Sequence, residues 1–374
     1  MRPMLKVAIA NSESLDQHGG ISRVLRELTT RWQKDTISSV AHFETSSLPM
    51  IRRYPRSLCT EANVDLVYLP RTGGATALKR LALPSVVTVH DVGFWDCPED
   101  SRVLGWQRAL ILPHFRALSN ATRVVVDSVF TGNRLEALVP SVAEKIRVVY
   151  LGVSEVFLRW SLNREASRVI VASRVPELAD GPFLIYAGDD APRKNLSLLI
   201  AVFREIKEVY PKAQLLKVGR AKLPDDRKRT LGVLSQFRLT PSQDVLFFDD
   251  ADDALLAALY AASDVFVSAS LYEGFGLPPL EAMAVGTPAV VTNQGAFPEI
   301  LSDYASVVAP DVSTMANAIF EVLNGTASLP PTDDLKRYAR RYSWDTAAEA
   351  YLNLFYEVSH QRDWGLNVRG GDLA

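Results

Sequence analysis

Short apolar runs rich in β-branched residues recur along this chain and alternate with stretches in which apolar residues recur at helical spacing. Such runs predict buried parallel strands, and the stretches between them predict helices. Strands are predicted at 5–10, 64–69, 85–89, 123–127, 146–150, 183–187, 214–218, 245–248, 264–268 and 289–292. The main helices are predicted at 21–32, 106–118, 128–138, 196–209, 254–262, 280–284 and 337–358. This alternation predicts an α/β fold with doubly wound parallel sheets.

Length and composition narrow the class of protein. A chain of 374 residues suits two domains, and 48% hydrophobic with 22% charged residues is ordinary for a soluble globular protein. The net charge of −2 gives no reason to expect nucleic acid as a partner. Cys59 and Cys97 lack the spacing of a metal site, so both are expected to be reduced. No apolar run approaches the roughly 20 residues of a membrane span, and a cytoplasmic location is expected.

Two carboxylates flank a glycine-rich loop in the second half of the chain. Glu273 follows a predicted strand, and Gly274 and Gly276 leave the next backbone N–H groups unshielded. Two prolines then lead into helix 280–284, whose N-terminus is a natural anion site. Glu281 is expected in the first turn of that helix, where it can accept both hydroxyls of a ribose. Attraction to the helix dipole alone would also favour an acid there, so this alternative stays open.

Two further candidates follow strands of the first half. Gly19 and Gly20 lie between the first strand and its helix, at the sheet edge where α/β proteins bind ligands. The third glycine of the dinucleotide fingerprint is missing, and simple turn glycines are the alternative. His90 follows strand 85–89, where it can face a cleft or satisfy a structural contact at the strand end.

A pair of cations follows strand 183–187. Arg193 and Lys194 precede helix 196–209, where a guanidinium and an ammonium group can bind a diphosphate. An exposed turn of no function is the alternative. Asn195 or Ser197 is expected to cap the helix.

Four aspartates crowd the loop 249–253 and could be mistaken for a metal site. The preferred interpretation is that Asp252 or Asp253 caps helix 254–262, whose dipole favours acids at that end.

Arg52, Arg53 and Arg56 form a basic patch with apolar neighbours. The preferred interpretation is a solvated basic face. The alternative is contact with an anionic membrane surface that carries a lipid-linked acceptor.

The stretch SLYEGFGLPPLEAMAVGTPAV at 270–290 resembles the signature of the GT4 family of retaining glycosyltransferases, with its Glu-x7-Glu pattern. Four other segments resemble family motifs in the expected order: GGI at 19–21, VTVHD at 87–91, PRKN at 192–195 and LYAASDVFV at 259–267. The acid motif is specific, whereas the glycine pair and the His-Asp pair are weak signals alone. The resemblance covers nearly the whole chain.

The resemblance implies a GT-B fold, in which two Rossmann-like domains face each other across a cleft. The implied acceptor-side domain is 1–155, and the nucleotide-sugar domain is 181–342. Residues 156–180 are the implied hinge, and 343–374 the implied helix that crosses back to the first domain.

The resemblance also implies roles for single residues. Glu281 would hold the ribose of the donor, and Glu273 the donor sugar. Arg193 and Lys194 would neutralise the diphosphate, and His90 would face the sugar from the other domain. Backbone contacts to sugar and phosphate are implied for Gly274, Phe275, Gly276 and Leu277, with Gly19 and Gly20 closing on the phosphates.

One position departs from the family pattern. Many members carry an arginine directly after the strand glycine, where this chain has Asp189. The share of Arg193 in binding the diphosphate is therefore in doubt, whereas Lys194 matches the family well.

The activity implied is that of a retaining hexosyltransferase without a cofactor or a required metal. Its donor would be a nucleotide-diphosphate sugar, for which GDP-mannose is one candidate, and its acceptor a glycan or lipid-linked glycan of bacterial polysaccharide synthesis. The alternatives are a nucleotide-sugar 2-epimerase on the same fold and a catalytically silent nucleotide-sugar-binding protein.

Overall fold

The computed structural model describes residues 4–11, 20–32, 37–44, 64–81, 83–97, 105–178 and 180–360. Gly19, Cys59 and the three arginines at 52, 53 and 56 lie outside the described residues. The chain divides into two compact units. Unit 1 has the bounds Met1–Val92, Val103–Gly152 and Trp344–Ala374, and unit 2 has the bounds Gly93–Arg102 and Val153–Ser343.

Unit 1 is built on a six-stranded sheet in which every neighbouring pair is parallel. Its strands are β1 Leu5–Asn11, β2 Ile37–Glu44, β3 Leu66–Leu69, β4 Ser85–Val89, β5 Arg123–Val126 and β6 Ile146–Val148. Its helices are α1 Gly20–Trp32, α3 Gly105–Ala117, α4 Val129–Leu138 and α14 Trp344–His360, with 3₁₀ segments at Thr72–Arg80, Leu118–Asn120 and Pro140–Lys145. The strand order β2-β1-β3-β4-β5-β6 reverses direction between β1 and β3.

The last helix of the chain, α14, completes the core of unit 1. Phe355 on this helix is fully buried, and its ring lies 5.2 Å from that of Trp32 on α1 and 5.5 Å from that of Tyr68 on β3. The hydroxyls of Tyr351 and Tyr68 lie 2.8 and 3.0 Å from the Thr88 hydroxyl in the middle of β4. Aromatic packing and a buried hydroxyl chain therefore tie α14 to the strand that precedes His90.

Unit 2 has a second fully parallel sheet of six strands. Its strands are β7 Phe183–Ala187, β8 Gln214–Val218, β9 Val245–Phe248, β10 Val265–Ser268, β11 Ala289–Thr292 and β12 Ser306–Val308. Its helices are α2 Gly93–Asp96, α5 Glu155–Leu158, α6 Arg164–Arg174, α7 Leu196–Val209, α8 Pro224–Gln236, α9 Asp253–Ala262, α10 Leu277–Val285, α11 Phe297–Leu301, α12 Val312–Leu323 and α13 Thr332–Ala339, with 3₁₀ turns at Pro192–Lys194 and Ser302–Tyr304.

The order of this second sheet is β12-β11-β10-β7-β8-β9. It is the Rossmann order, and the direction in which strands are added reverses between β7 and β10. In open α/β sheets ligands bind outside the carboxyl ends of the strands at such a reversal. The topology therefore directs attention to the loops that follow β7 and β10.

All ten strands predicted from the apolar runs are present, and the helical stretch predicted at 337–358 is divided between α13 and α14, which begins at Trp344. Two strands were missed, and both lie at sheet edges. β2 mixes two serines and a histidine among its apolar residues, and β12 is only three half-buried residues long. The stretch 156–180, which the family resemblance implies is a hinge, contains the helix α6 and belongs to unit 2.

The predicted cap of α9 is confirmed, because the Asp252 carboxylate accepts from Leu255 N at 2.8 Å. At the start of α4, the Ser128 hydroxyl likewise accepts from Thr131 N at 3.0 Å. The predicted cap on α7 is wrong, because Asn195 takes the left-handed conformation and makes no side-chain bond to the helix. Among the described residues, no helix has both the length and the apolar character to cross a bilayer.

The contribution of α14 to unit 1 can be measured. We expect Phe355→Ala to lower the free energy of unfolding by about 3–5 kcal/mol, because it leaves a cavity among packed aromatic rings. The control is Val148→Ala on β6, where 40% of the residue surface is exposed, and it should change stability by less than about 0.5 kcal/mol. Urea unfolding followed by far-UV circular dichroism compares the two, and equal effects would contradict this account.

Candidate active site

The loops after β7 and β10 meet because their strands are neighbours in the sheet. Leu184 pairs with Val265 in parallel register, so both chains leave the sheet at the same edge. Leu271 N donates to the Arg193 carbonyl at 2.8 Å, which joins the two loops through their backbones.

An ion pair between Lys194 and Glu273 connects the side chains of these loops. The Lys194 ammonium nitrogen lies 2.6 Å from Glu273 Oε1 and 2.9 Å from Oε2. The two side chains are 14% and 16% exposed, respectively, so the pair is mostly shielded from water yet still accessible. Two of the three N–H donors of lysine are directed at the carboxylate, and one remains for another acceptor.

Glu273 is held in place from two sides. The Ser270 hydroxyl donates to Glu273 Oε1 at 2.7 Å, and Ser270 is itself fully buried, 3.1 Å from the Ser268 hydroxyl. On the backbone side, Ala296 N donates to the Glu273 carbonyl at 3.0 Å. These protein contacts therefore fix the position of the carboxylate. Ser270 was missed from sequence, although its spacing of three residues from Glu273 is one at which a hydroxyl can reach a later residue.

The segment after β11 approaches the Glu273 backbone closely. Gly295 has φ +67°, and a Cβ there would lie 2.5 Å from Glu273 N and 2.7 Å from its carbonyl oxygen. Only glycine fits without moving the acidic loop.

The positive charge of the site is offset by a carboxylate. Asp189 Oδ2 lies 3.1 Å from the ammonium group of Lys222, which comes from the loop after β8. Burial raises the pKa of the Asp189 carboxyl. The charges of Lys194, Lys222 and Arg193 and the hydrogen bond from Ala191 N outweigh burial, and the pKa is lowered to about 2. Asp189 is therefore ionised at neutral pH, in the position where many family members carry an arginine.

The next residue, Asp190, anchors the loop to the interior. Its carboxylate pairs with the buried Lys217 of β8 and lies 2.9 Å from Arg227 Nε on α8. Burial lowers the pKa of Lys217, and the hydrogen bond and charge of Asp190 oppose that shift. Arg227 also bonds Asp249 at 2.7 Å and lies over the Phe247 ring at 4.4 Å. Breaking such a buried pair is costly, so the position of the loop is strongly determined.

Three of the four acids at 249–253 are accounted for by ion pairs and a cap. Asp249 bonds Arg227, Asp250 lies 3.0 Å from Arg220, and Asp252 caps α9. Within the described part of the chain, no group of three or more potential ligand residues could hold a metal ion.

Helix α10 begins at Leu277, three residues earlier than predicted. Gly276, with φ +104°, takes the N-cap position, and the two prolines lie in the first turn as expected. The prediction that Glu281 lies in the first turn is therefore wrong, because Glu281 is the fifth residue of the helix. Glu281 is 2% exposed and accepts from the Tyr260 hydroxyl at 3.3 Å.

The remaining residues of the loop differ in burial. Gly274 and Leu277 are half-buried, whereas the Phe275 side chain is buried and packs edge-on against Tyr342, with ring centroids 5.7 Å apart. The side chain of Phe275 thus stabilises the loop.

Unit 1 carries His90 and Gly20 at the carboxyl edge of its own sheet. His90 Nδ1 lies 2.7 Å from Asp127 Oδ2, and Nε2 lies 3.1 Å from the Pro70 carbonyl. Gly20 is exposed and is the first residue of α1. Asp127 was not predicted from sequence, although it follows the strand next to that of His90.

The two parallel sheets, both Rossmann-like, define the class of protein: the chain has the GT-B fold of glycosyltransferases. Sucrose-phosphate synthase from Thermosynechococcus elongatus superposes with a TM-score of 0.76 at 20% identity, over 96% of this chain and 100% of that one. HepE from Anabaena, solved in complex with UDP, superposes with a TM-score of 0.73 at 17% identity, over 94% of this chain and 100% of that one.

Residues 172–342 match the family model described as glycosyl transferases group 1, so this part of the chain carries a group 1 domain. O-antigen chain mannosyltransferase B from Escherichia coli is 28% identical over 72% of this chain and 70% of its own length. Phosphatidyl-myo-inositol mannosyltransferase from Mycobacterium leprae is 28% identical over 56% of this chain, and the match spans 59% of that protein. The resemblance drawn from the acid motif is thereby confirmed at the level of fold and family.

The contact between Gly295 and Glu273 has a matched control elsewhere in unit 2. Gly325 has φ +68°, and a Cβ there would meet nothing within 4 Å. Gly295→Ala and Gly325→Ala should each cost roughly 1–2 kcal/mol of stability through the left-handed backbone. Only Gly295→Ala should also displace Glu273 and lower sugar transfer, by at least about tenfold for a barrier increase of about 1.4 kcal/mol. Initial rates on folded protein test this, and equal rates for the two variants would contradict it.

Proposed function

We propose that this protein is a retaining hexosyltransferase that moves a sugar from a nucleotide-diphosphate sugar to a glycan or lipid-linked acceptor. The observation that carries the proposal is the Lys194–Glu273 pair at the strand-order reversal of unit 2, beside the N-terminus of α10. Mannose is the first candidate sugar, because relatives that share 28% identity are mannosyltransferases. A cytoplasmic setting, with contact to the inner membrane face for a lipid-linked acceptor, belongs to the same proposal.

In this mechanism the bond between the anomeric carbon and the diphosphate breaks, and negative charge grows on the leaving oxygen. Lys194 offers its remaining N–H to that oxygen, and Arg193 adds a second positive charge. The backbone at the start of α10, together with the α10 dipole, acts on the same charge. These fixed groups stabilise the leaving diphosphate without a metal ion.

The acceptor hydroxyl then forms the new glycosidic bond on the face from which the diphosphate leaves. A diphosphate oxygen takes the proton of that hydroxyl, and the configuration of the anomeric carbon is retained. Glu273, fixed by Ser270 and Lys194, accepts hydrogen bonds from hydroxyls of the donor sugar. The role of His90 of unit 1 as a donor-sugar ligand rests on the family resemblance.

Glu281 stays in the proposal as the ligand of the ribose hydroxyls. Its burial adds a requirement, since the carboxylate bonds Tyr260 and only 2% of the residue is exposed. Ribose binding would therefore need the side chain to turn from α9 toward the start of α10. Gly20 is proposed to approach the phosphates through its backbone, together with Gly19.

Removal of either member of the central pair tests this function. Lys194→Ala and Glu273→Ala should each lower the rate of sugar transfer by at least about 100-fold, a typical cost for one preorganised group that stabilises charge. The control is Arg204→Ala, which breaks an exposed Arg204–Glu208 pair on α7 and should leave the rate unchanged. Near wild-type turnover in Lys194→Ala or Glu273→Ala protein would refute the assignment.

The donor nucleotide can be identified by thermal unfolding with GDP, UDP, ADP or dTDP. A ligand present at 100 times its Kd stabilises the folded protein by about 2.7 kcal/mol, so the correct nucleotide should stand out. We expect GDP to raise the Tm most, and Lys194→Ala protein to lose most of that shift. A shift with UDP alone would reject GDP-mannose as the donor, and no shift with any of the four would reject the diphosphate site.

A further inference from the structure

Three neighbouring strands of unit 1 each deliver one polar group to the same point. Pro70 follows β3, His90 follows β4 and Asp127 follows β5, and these strands are adjacent in the sheet. The two His90 ring nitrogens lie 2.7 Å from Asp127 Oδ2 and 3.1 Å from the Pro70 carbonyl oxygen. The His90 side chain is 14% exposed and that of Asp127 is 3% exposed.

The partners of the ring determine where its protons lie. A carbonyl oxygen can only accept, so Nε2 of His90 must carry a hydrogen. The 2.7 Å contact between Nδ1 and Asp127 Oδ2 also needs a proton, whether it resides on the ring or on the carboxyl. The pair therefore holds two protons and is neutral overall. Loss of one proton would leave a lone pair facing an acceptor, either at Nδ1 against the carboxylate or at Nε2 against the Pro70 carbonyl.

The remaining contacts of Asp127 do not explain its burial. Its Oδ1 atom is buried and has no hydrogen-bond partner among the described residues. The cap of α4 is made by the neighbouring Ser128, not by Asp127. A buried carboxylate is costly unless it is paired, so the bond to His90 is the interaction that accounts for this residue.

We propose that Asp127 is a positioning residue that keeps both ring nitrogens of His90 protonated, so that His90 serves sugar transfer as a hydrogen-bond donor and not as a general base. The catalytic part rests on the proposed function, whereas the proton arrangement does not. In transfer, the Nε2–H bonded to the Pro70 carbonyl is the group that can be redirected to a sugar oxygen, while Asp127 holds the other side of the ring.

The electrostatic surroundings agree with this assignment. Burial lowers the pKa of His90, but the charge and hydrogen bond of Asp127, the charge of Asp91 and the Pro70 carbonyl outweigh it, so the pKa is raised above 6.5. Burial raises the pKa of Asp127 in turn, and His90 opposes that shift. The ionised groups that act on the ring are thus Asp127 on the neighbouring strand and Asp91 beside it in sequence.

The test uses the full chain with Asp127→Asn. Asparagine keeps the shape and can still hydrogen-bond Nδ1, but it removes the charge. The His90 ring proton signal, assigned with a His90→Gln variant, is followed by NMR from about pH 5 to 9. We expect the His90 pKa to fall by at least about one unit, because an opposite charge within hydrogen-bond distance shifts a pKa by roughly 1–3 units. Asp91→Asn, the matched control, should cause a smaller fall.

The pH dependence of transfer provides the second measurement. As the pH rises, the rate of transfer by Asp127→Asn protein should begin to fall at a lower pH than that of the wild type. Lowering the pH should restore part of the rate, because it protonates His90. An unchanged His90 pKa would overturn the proton arrangement, whatever the activity. A lowered His90 pKa with the same fractional loss of rate at every pH would overturn the catalytic role. If no donor supports transfer, the proposed function fails, and the NMR titration alone decides the proton arrangement.

Discussion

The ion pair between Lys194 and Glu273 is the interaction on which the candidate site depends. It joins two loops that are far apart in the chain and meet only because β7 and β10 are neighbours where the strand order reverses. Each partner is fixed by its own support. Buried ion pairs of Asp190 anchor the loop of Lys194, and Ser270 with the Ala296 backbone fixes that of Glu273. A diphosphate would therefore meet charges that need little reorganisation, which is the condition for electrostatic catalysis.

The balance of charge gives this site its particular character. Asp189 lies among Arg193, Lys194 and Lys222 and stays ionised, so the cluster carries less net positive charge than its cations alone would give. Under the proposed function, a diphosphate entering the site would compete with Asp189 and Glu273 for the same cations. Such competition would weaken binding and ease the release of a charged product. The departure from the family pattern at position 189 thus has a physical consequence that the family resemblance did not imply.

Much of the fold could be predicted from sequence, because apolar runs mark buried parallel strands and the residues after them mark the ligand edge. The contact between Lys194 and Glu273, by contrast, required the strand order. Asp127 and Lys222 were missed for the same reason, since each lies beside its partner only after the sheets are assembled. The position of Glu281 within its helix was predicted wrongly, because the helix begins directly after Gly276, earlier than the two prolines suggested. Edge strands such as β12 were missed because they are half-buried and lack a clear apolar pattern.

The most direct test of the central claim is a crystal structure with the nucleoside diphosphate that stabilises the protein. The account predicts diphosphate oxygens within hydrogen-bond distance of the Lys194 ammonium group and of the backbone N–H groups at the start of α10, with Glu273 left facing the sugar position. A diphosphate bound away from Lys194 and α10 would contradict the claim that the Lys194–Glu273 pair forms the donor site.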